Sequence, residues 1–316
     1  MVTMDVDKCI GCSSCVKICH EHCIALVDGV ARIDYTLCST CAQCVAVCPQ
    51  QALSWEGTPP APYEPARMPS AEQLDELFKE RRTVRAFKGD AIDRALLSEI
   101  VNYAVYAPAH SRTLRAIVVD DPALIQSLDQ AVMRFNERLY NLLYRPRLLR
   151  ALIPRIAPQR AAEYLKVQPK LERALEAGRA YPNPPAAFIL LVDDRRTPLA
   201  RESAQYALYN IALYAQARGI GCRNLVGNQM ILNGSRAVCE RLGLGRHERL
   251  YGTAGLGVPA VRFRSKVEGR TLPIQWNGGS IKARPPERPA RTGETPPGCT
   301  RAPDPKSRAE SGGGCR

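Results

Sequence analysis

The spacing of its cysteines constrains this chain more than any other feature. Cys9, Cys12, Cys15 and Cys19 follow the run C-x2-C-x2-C-x3-C, and Cys38, Cys41, Cys44 and Cys48 repeat it, with Pro49 directly after. Of 13 cysteines in 316 residues, nine fall between Cys9 and Cys48; the others are Cys222, Cys239, Cys299 and Cys315. A disulfide framework would suit an oxidising compartment. Thiols recurring every third residue instead face a shared inorganic centre, which points to a reducing, cytoplasmic setting. Structural zinc is the plainer metal reading. It takes four thiolates per ion, usually as pairs of C-x2-C, and two triplets with matched fourth cysteines fit it poorly.

The run is a known signature of bacterial chains that carry two [4Fe–4S] clusters, in which the fourth cysteine serves the other cluster. Three close thiols wrap one cubane, and the distant fourth reaches its neighbour. On that pattern Cys9, Cys12, Cys15 and Cys48 hold one cluster, and Cys38, Cys41, Cys44 and Cys19 hold the second. Residues 4–54 resemble the bacterial two-cluster ferredoxins. One departure stands in the first run, where His20 and not proline follows Cys19. His20 and His22 are either tuning groups for the second cluster or plain surface positions. Cys23 is left over and reads as a buried free thiol.

Residues 57–69, GTPPAPYEPARMP, hold five prolines in 13 positions and read as an extended, stiff linker. Beyond it the periodicity changes. Residues 70–80 read as a helix, with Ser70 and Gln73 placed as a capping box. Helical spacing continues over 92–106 and 123–143, over 202–218 up to Gly219, and over about 235–242. AIVV at 116–119 and AAFILLV at 186–192 read as strands, and 261–264 as a further strand after a turn at 255–259. No strand leads into G-x-G-x-x-G, so a doubly wound dinucleotide fold is excluded. The fold class is α+β. The organisation expected is a ferredoxin domain at 1–56, the linker, a second α+β domain at 70–282, and a disordered tail at 283–316.

Several separated stretches carry a second resemblance: RRTVRAF at 81–87, APAHSRTLRAIVV at 107–119, SAQYALYNIALYAQARGIG at 203–221, and GVP at 257–259 before Arg264, Arg270 and Trp276. In order and separation they resemble the nitroreductase family, over about 75–278, and more narrowly members fused to a two-cluster ferredoxin. The resemblance implies an FMN-binding homodimer with active sites at the subunit interface. It implies flavin contacts from Arg81, Arg82, Thr83 and Arg85, from the turn Gly219–Ile220–Gly221–Cys222, and from Arg264 or Arg270 closing the phosphate site. Relatives show Ser-Gly-x-Asn-x-Gln near the second flavin stretch. Here Arg112 replaces the asparagine and Leu114 the glutamine, which makes Arg112 a candidate to stabilise reduced flavin and leaves the substrate open. His110 is either a proton relay or a solvent-facing residue. No catalytic residue is assigned.

The formal net charge is +13. Residues 134–179 carry eleven Arg and Lys against four Glu, and this basic helical stretch (134–180 in the domain scheme) has three readings: an active-site cover, a membrane or anionic-partner surface, and ordinary solvated helix. The tail holds seven prolines in 34 residues and a net charge of only +3. With no aromatic platform it excludes a nucleic-acid arm. No stretch is long and apolar enough for a transmembrane helix. The function expected is an iron–sulfur flavoprotein oxidoreductase. Its clusters pass electrons to FMN, which reduces a small organic substrate of nitro, quinone or enone type, and the donor is a reduced ferredoxin-like protein or NAD(P)H. The alternative is a non-enzymatic electron carrier or redox sensor with the same cofactors.

Overall fold

The computed structural model describes residues 1–276 apart from His110, Ala157, Pro182 and Arg270. Arg270, His110 and the tail at 283–316 therefore lie outside the described residues. The chain divides into two compact units, Met1–Asp75 and a second from Glu76 onward.

The first unit is a duplicated motif. Strand β1 (Val2–Met4) pairs antiparallel with β4 (Leu53–Trp55), and β2 (Ile24–Val27) pairs antiparallel with β3 (Val30–Ile33). Two single-turn helices, α1 (Ser14–Ile18) and α2 (Gln43–Val47), pack on each other. Each begins just before the third cysteine of its run, and each is entered through a left-handed residue, Ser13 at φ 63° and Ala42 at φ 58°. A left-handed residue at each helix entry turns the chain sharply, so the three close thiols fall on one side. Gly11 is also left-handed, at φ +64°, and a Cβ there would stand 2.5 Å from the carbonyl oxygen of Gly29, so only glycine fits. The small core is built from Val2, Ile24, Ala31, Val45 and Leu53 together with Cys15, Cys23, Cys38 and Cys44. Within 57–69 the structure has one three-residue 3-10 turn, Pro65–Arg67.

Helix α3 (Ala71–Glu80) begins at the expected capping box: Ser70 N–H donates to Gln73 Oε1 at 2.8 Å, and Gln73 N–H to Ser70 Oγ at 3.3 Å. Helix α4 (Arg94–Asn102) is capped by Asp93, which accepts from Leu96 N–H at 3.1 Å, and runs into a 3-10 turn over Tyr103–Tyr106. Strand β5 (Arg115–Val119) is followed by α5 (Pro122–Leu143), with Asp121 as cap and proline at the first helical position. Helices α6 (Arg147–Ile156) and α7 (Pro158–Ala177) complete a helical excursion in which α7 packs back on α5. Tyr144 and Tyr164 stack there with ring centroids 4.4 Å apart.

The remaining elements are β6 (Ala187–Asp194), α8 (Ala200–Ala217), β7 (Gly221–Asn224), α9 (Val226–Asn233), α10 (Arg236–Arg241) and β8 (Glu248–Gly257). The sheet order is β5-β6-β8-β7, antiparallel throughout. Strand β6 is a continuous apolar run because both of its faces are covered. Ala187, Ile189 and Leu191 meet α4 and α8, while Phe188, Leu190 and Val192 meet α5, α9 and α10. This α+β arrangement agrees with the fold class expected from sequence.

Two local expectations change. Residues 261–264 are not a strand; Val261 and Phe263 are exposed and pair with nothing regular. The strand of that region is β8, which precedes them. Its glycines 252, 255 and 257 weaken its local signal, and pairing with β6 and β7 on either side makes it a strand regardless.

Candidate functional site

In the second unit a cavity of about 520 Å³ opens where three segments converge: the end of α3 with the stretch after it, the turn from α8 into β7, and the chain after β8. The stretch after α3 is held against the sheet by backbone bonds. Val84 N–H donates to Cys222 O at 3.1 Å, Lys88 N–H to Val258 O at 2.9 Å, and Ala260 N–H to Ala86 O at 2.9 Å. Two glycines make room for it. A Cβ on Gly221 would stand 2.8 Å from Val84, and one on Gly257 would stand 2.6 Å from Phe87. Arg81, Arg82 and Thr83 are thereby brought beside Gly219, Ile220, Gly221 and Cys222 on the cavity wall.

Arg82 is largely committed to its own backbone, donating to Lys79 O at 2.5 Å and Arg81 O at 2.8 Å. The Arg81 guanidinium lies 5.7 Å from the centroid of the Tyr209 ring, a weak cation–π contact. Burial pushes the Cys222 thiol up to about 12, and the charge of Arg81 offsets only part of this. The thiol is therefore neutral at physiological pH and contributes bulk and weak polarity to the wall.

Sequence reasoning did not single out Lys88, Arg262, Phe263 and Asn224, which also line the cavity. Arg262 sits two residues before Arg264, and Lys88 follows the RRTVRAF stretch directly, so both lay within reach of the segments already under suspicion. Arg85 does not line the cavity. It is exposed, with Nη1 3.5 Å from Thr83 O. Arg112, exposed in the turn before β5, and Arg264, in the chain after β8, do not line it either. Among the described residues, none of α5, α6 or α7 lines it.

Residues 78–258, more than half of the chain, match the nitroreductase family. The chain belongs to the nitroreductase family. It is an oxidoreductase of that type. Within the first unit of this nitroreductase-family protein, residues 31–54 match a 4Fe-4S binding domain. No curated protein matches the chain. Among solved structures, a nitroreductase with bound FMN from Desulfitobacterium hafniense DCB-2 is 18% identical with a TM-score of 0.47, over 63% of this chain and 97% of that one. A nitroreductase with bound FMN from Bacteroides fragilis NCTC 9343 is 18% identical with a TM-score of 0.43, over 64% and 99%. A BluB-like flavoprotein from Clostridium difficile 630 is 15% identical with a TM-score of 0.44, over 62% and 94%.

In the first unit of this nitroreductase-family protein, the cysteines line two separate cavities. Cys9, Cys12, Cys15 and Cys48 line one, so a triplet meets the fourth cysteine of the other run. Cys38, Cys41, Cys44 and Cys19 line the second, together with Cys23. Backbone N–H groups reach two of the sulfurs: Ala52 N–H donates to Cys48 Sγ at 3.3 Å, and Thr40 N–H to Cys38 Sγ at 3.4 Å. Among the described residues, no three His, Cys, Asp or Glu side chains are gathered to hold a single metal ion. No helix among them is long and apolar enough to cross a membrane.

Proposed function

We propose that this chain binds FMN in the cavity between Arg81 and Cys222, carries two [4Fe–4S] clusters in its cysteine-lined cavities, and transfers electrons between them to reduce a small organic substrate. The observation that carries the flavin assignment is the make-up of the cavity wall. Arg81, Lys88 and Arg262 offer cationic donors and Thr83 a hydroxyl, beside the apolar surface of Ile220, Val258 and Phe263. That donor set fits a ligand with one phosphate and one flat aromatic part. The cluster assignment is supported by the interleaved sets of four cysteines that the spacing implies, one lining each cavity, with Cys23 as a fifth thiol in the second.

Bound FMN supplies a centre that accepts electrons singly and delivers them in pairs. The chain's own residues bind and orient it. Arg81, with its rigid donor fork, would hold the phosphate together with Lys88 and Arg262, and Gly219–Cys222 would line the ring side. The Cys222 thiol, held neutral, adds no charge where reduced flavin would gain one. Backbone donors to Cys48 and Cys38 lower the electron density on those sulfurs, a known lever on cluster potential.

The working form on this reading is a homodimer, supported by exposed Tyr206, Tyr209, Val226 and Met230 on α8 and α9. The domain scheme proposed is 1–56 for the clusters, 57–69 as linker and 70–282 for the flavin. A reduced ferredoxin-like protein or NAD(P)H serves as donor, and the location proposed is cytoplasmic. The test is anaerobic purification followed by a visible spectrum and assay of FMN, iron and sulfide. About one FMN and about eight each of iron and sulfide per chain are expected. Flavin without iron would sink the cluster assignment, and iron without flavin the cavity assignment.

A further inference from the structure

The two cysteine-lined cavities are not equivalent. They arise from a repeat in which every cysteine of the first run has a counterpart in the second, and the correspondence extends past the last cysteine. His22 and Gln51 occupy matching places, both left-handed, at φ 52° and 49°. Each follows a turn closed onto the preceding cysteine: His22 N–H donates to Cys19 O at 3.2 Å and Gln51 N–H to Cys48 O at 3.2 Å. The next residue then folds back toward that cysteine. In the second repeat it is Ala52, which offers Cys48 only a backbone donor. In the first it is Cys23, whose Sγ stands 3.4 Å from the Sγ of Cys19.

Cys23 is buried, 6% exposed, and its thiol also meets that of Cys38. It lines the second cavity with Cys19, Cys38, Cys41 and Cys44, so five thiols surround a space that needs four. The first cavity has four and no fifth. The backbone at Cys23 is fixed, since its carbonyl accepts from Asp34 N–H at 2.7 Å. Its thiol lies in the core beside those of Cys19 and Cys38.

We propose that Cys23 is a reserve ligand for the second cluster, able to take the coordination position of Cys19. This rests on the two-cluster reading given above. The exchange needs no oxidant. Cys23 gives its thiol proton to the Cys19 sulfur as the Cys19–iron bond breaks and the Cys23–iron bond forms. One iron–sulfur bond is lost, one is gained, and no electron changes hands. When Cys19 is absent the proton leaves to solvent and the same bond forms.

The test uses the full chain, purified anaerobically, as Cys19→Ala, Cys23→Ala, the double variant, and Cys48→Ala. Iron and sulfide are assayed, and the dithionite-reduced proteins are examined by electron paramagnetic resonance. Cys19→Ala and Cys23→Ala should each keep the parent's iron and sulfide, with Cys19→Ala showing an altered signal from one cluster. The double variant should lose about half of both, as should Cys48→Ala, whose cavity has no spare thiol. The proposal is overturned if Cys19→Ala loses as much as the double variant, or loses about one iron while keeping its sulfide. It is also overturned if Cys19→Ala is insoluble while Cys48→Ala is not. A parent chain without iron and sulfide would instead overturn the two-cluster reading on which it rests.

Discussion

Gly221 lies so close to Val84 that a methyl group on the glycine would stand 2.8 Å from one Val84 methyl carbon and 3.0 Å from the other. The backbone bond from Val84 N–H to Cys222 O runs across the same contact. It fixes Thr83, Arg82 and Arg81 to the cavity wall. Gly221→Ala should therefore push that stretch outward. Overpacking of this kind costs about 1–3 kcal/mol, and the flavin should bind at least tenfold more weakly. Thermal unfolding and FMN titration of the variant check both effects; unchanged FMN affinity would mean that the Val84 contact does not shape the site.

Arg81 and Arg85 belong to one short stretch, yet only Arg81 lines the cavity. Loss of one charge-assisted phosphate contact costs on the order of 2 kcal/mol, about thirtyfold in affinity. Arg81→Ala should weaken FMN binding by roughly that factor, and Arg85→Ala by less than about threefold. Dissociation constants at two salt concentrations decide it. Equal losses in the two variants would contradict the cavity assignment.

Arg115 on β5 and Glu248 at the start of β8 clamp the sheet across β6, with Nε–Oε1 and Nη2–Oε2 both at 2.7 Å. Gly245 N–H adds a third donor to Glu248 at 2.7 Å. The Arg115 fork comes first among the causes that hold the Glu248 carboxyl down to about 2. A folded pKa below the ordinary value of about 4.3 gives stability that is full above that value and fades as pH falls toward 2. The pair is partly exposed, so about 1 kcal/mol is expected at neutral pH. In urea titrations the stability gap between parent and Glu248→Gln should narrow from about pH 5 to about pH 3. A constant gap over that range would show that the ion pair does not supply it.

Cys48 tests the interleaving of ligands. Of the eight cysteines in the two runs it lies furthest along the chain from Cys9, yet it lines the cavity of Cys9, Cys12 and Cys15. In Cys48→Ala the surviving spectroscopic signal should belong to the centre that Cys41→Ala removes. If the two variants lose the same centre, each run serves its own cluster and the assignment is wrong.

Exposed Tyr206 and Met230, 54% and 76% accessible, lie on α8 and α9, each of which buries its other face in the core. Light scattering of the full chain should give twice the chain mass. Tyr206→Glu should shift it toward the monomer and lower FMN retention if the interface supports the flavin. A parent that scatters as a monomer would contradict the dimer.

The sequence by itself determined the elements whose signals are local. The cysteine runs set where thiols gather, because their spacing is short compared with the turns around it. Ser70 with Gln73 set one helix start, since caps act within four residues. The apolar run at 186–192 announced a strand. The tertiary structure alone decided three things. It made glycine-rich 248–257 a strand, because pairing on both sides outweighs weak propensity. It chose among the arginines, bringing Arg81 to the cavity and leaving Arg85 outside, because that choice depends on how Val84 sits on Gly221. And it set Cys23 against Cys19, a contact that follows from the left-handed turn at His22, for which no residue type in the sequence gives a local signal.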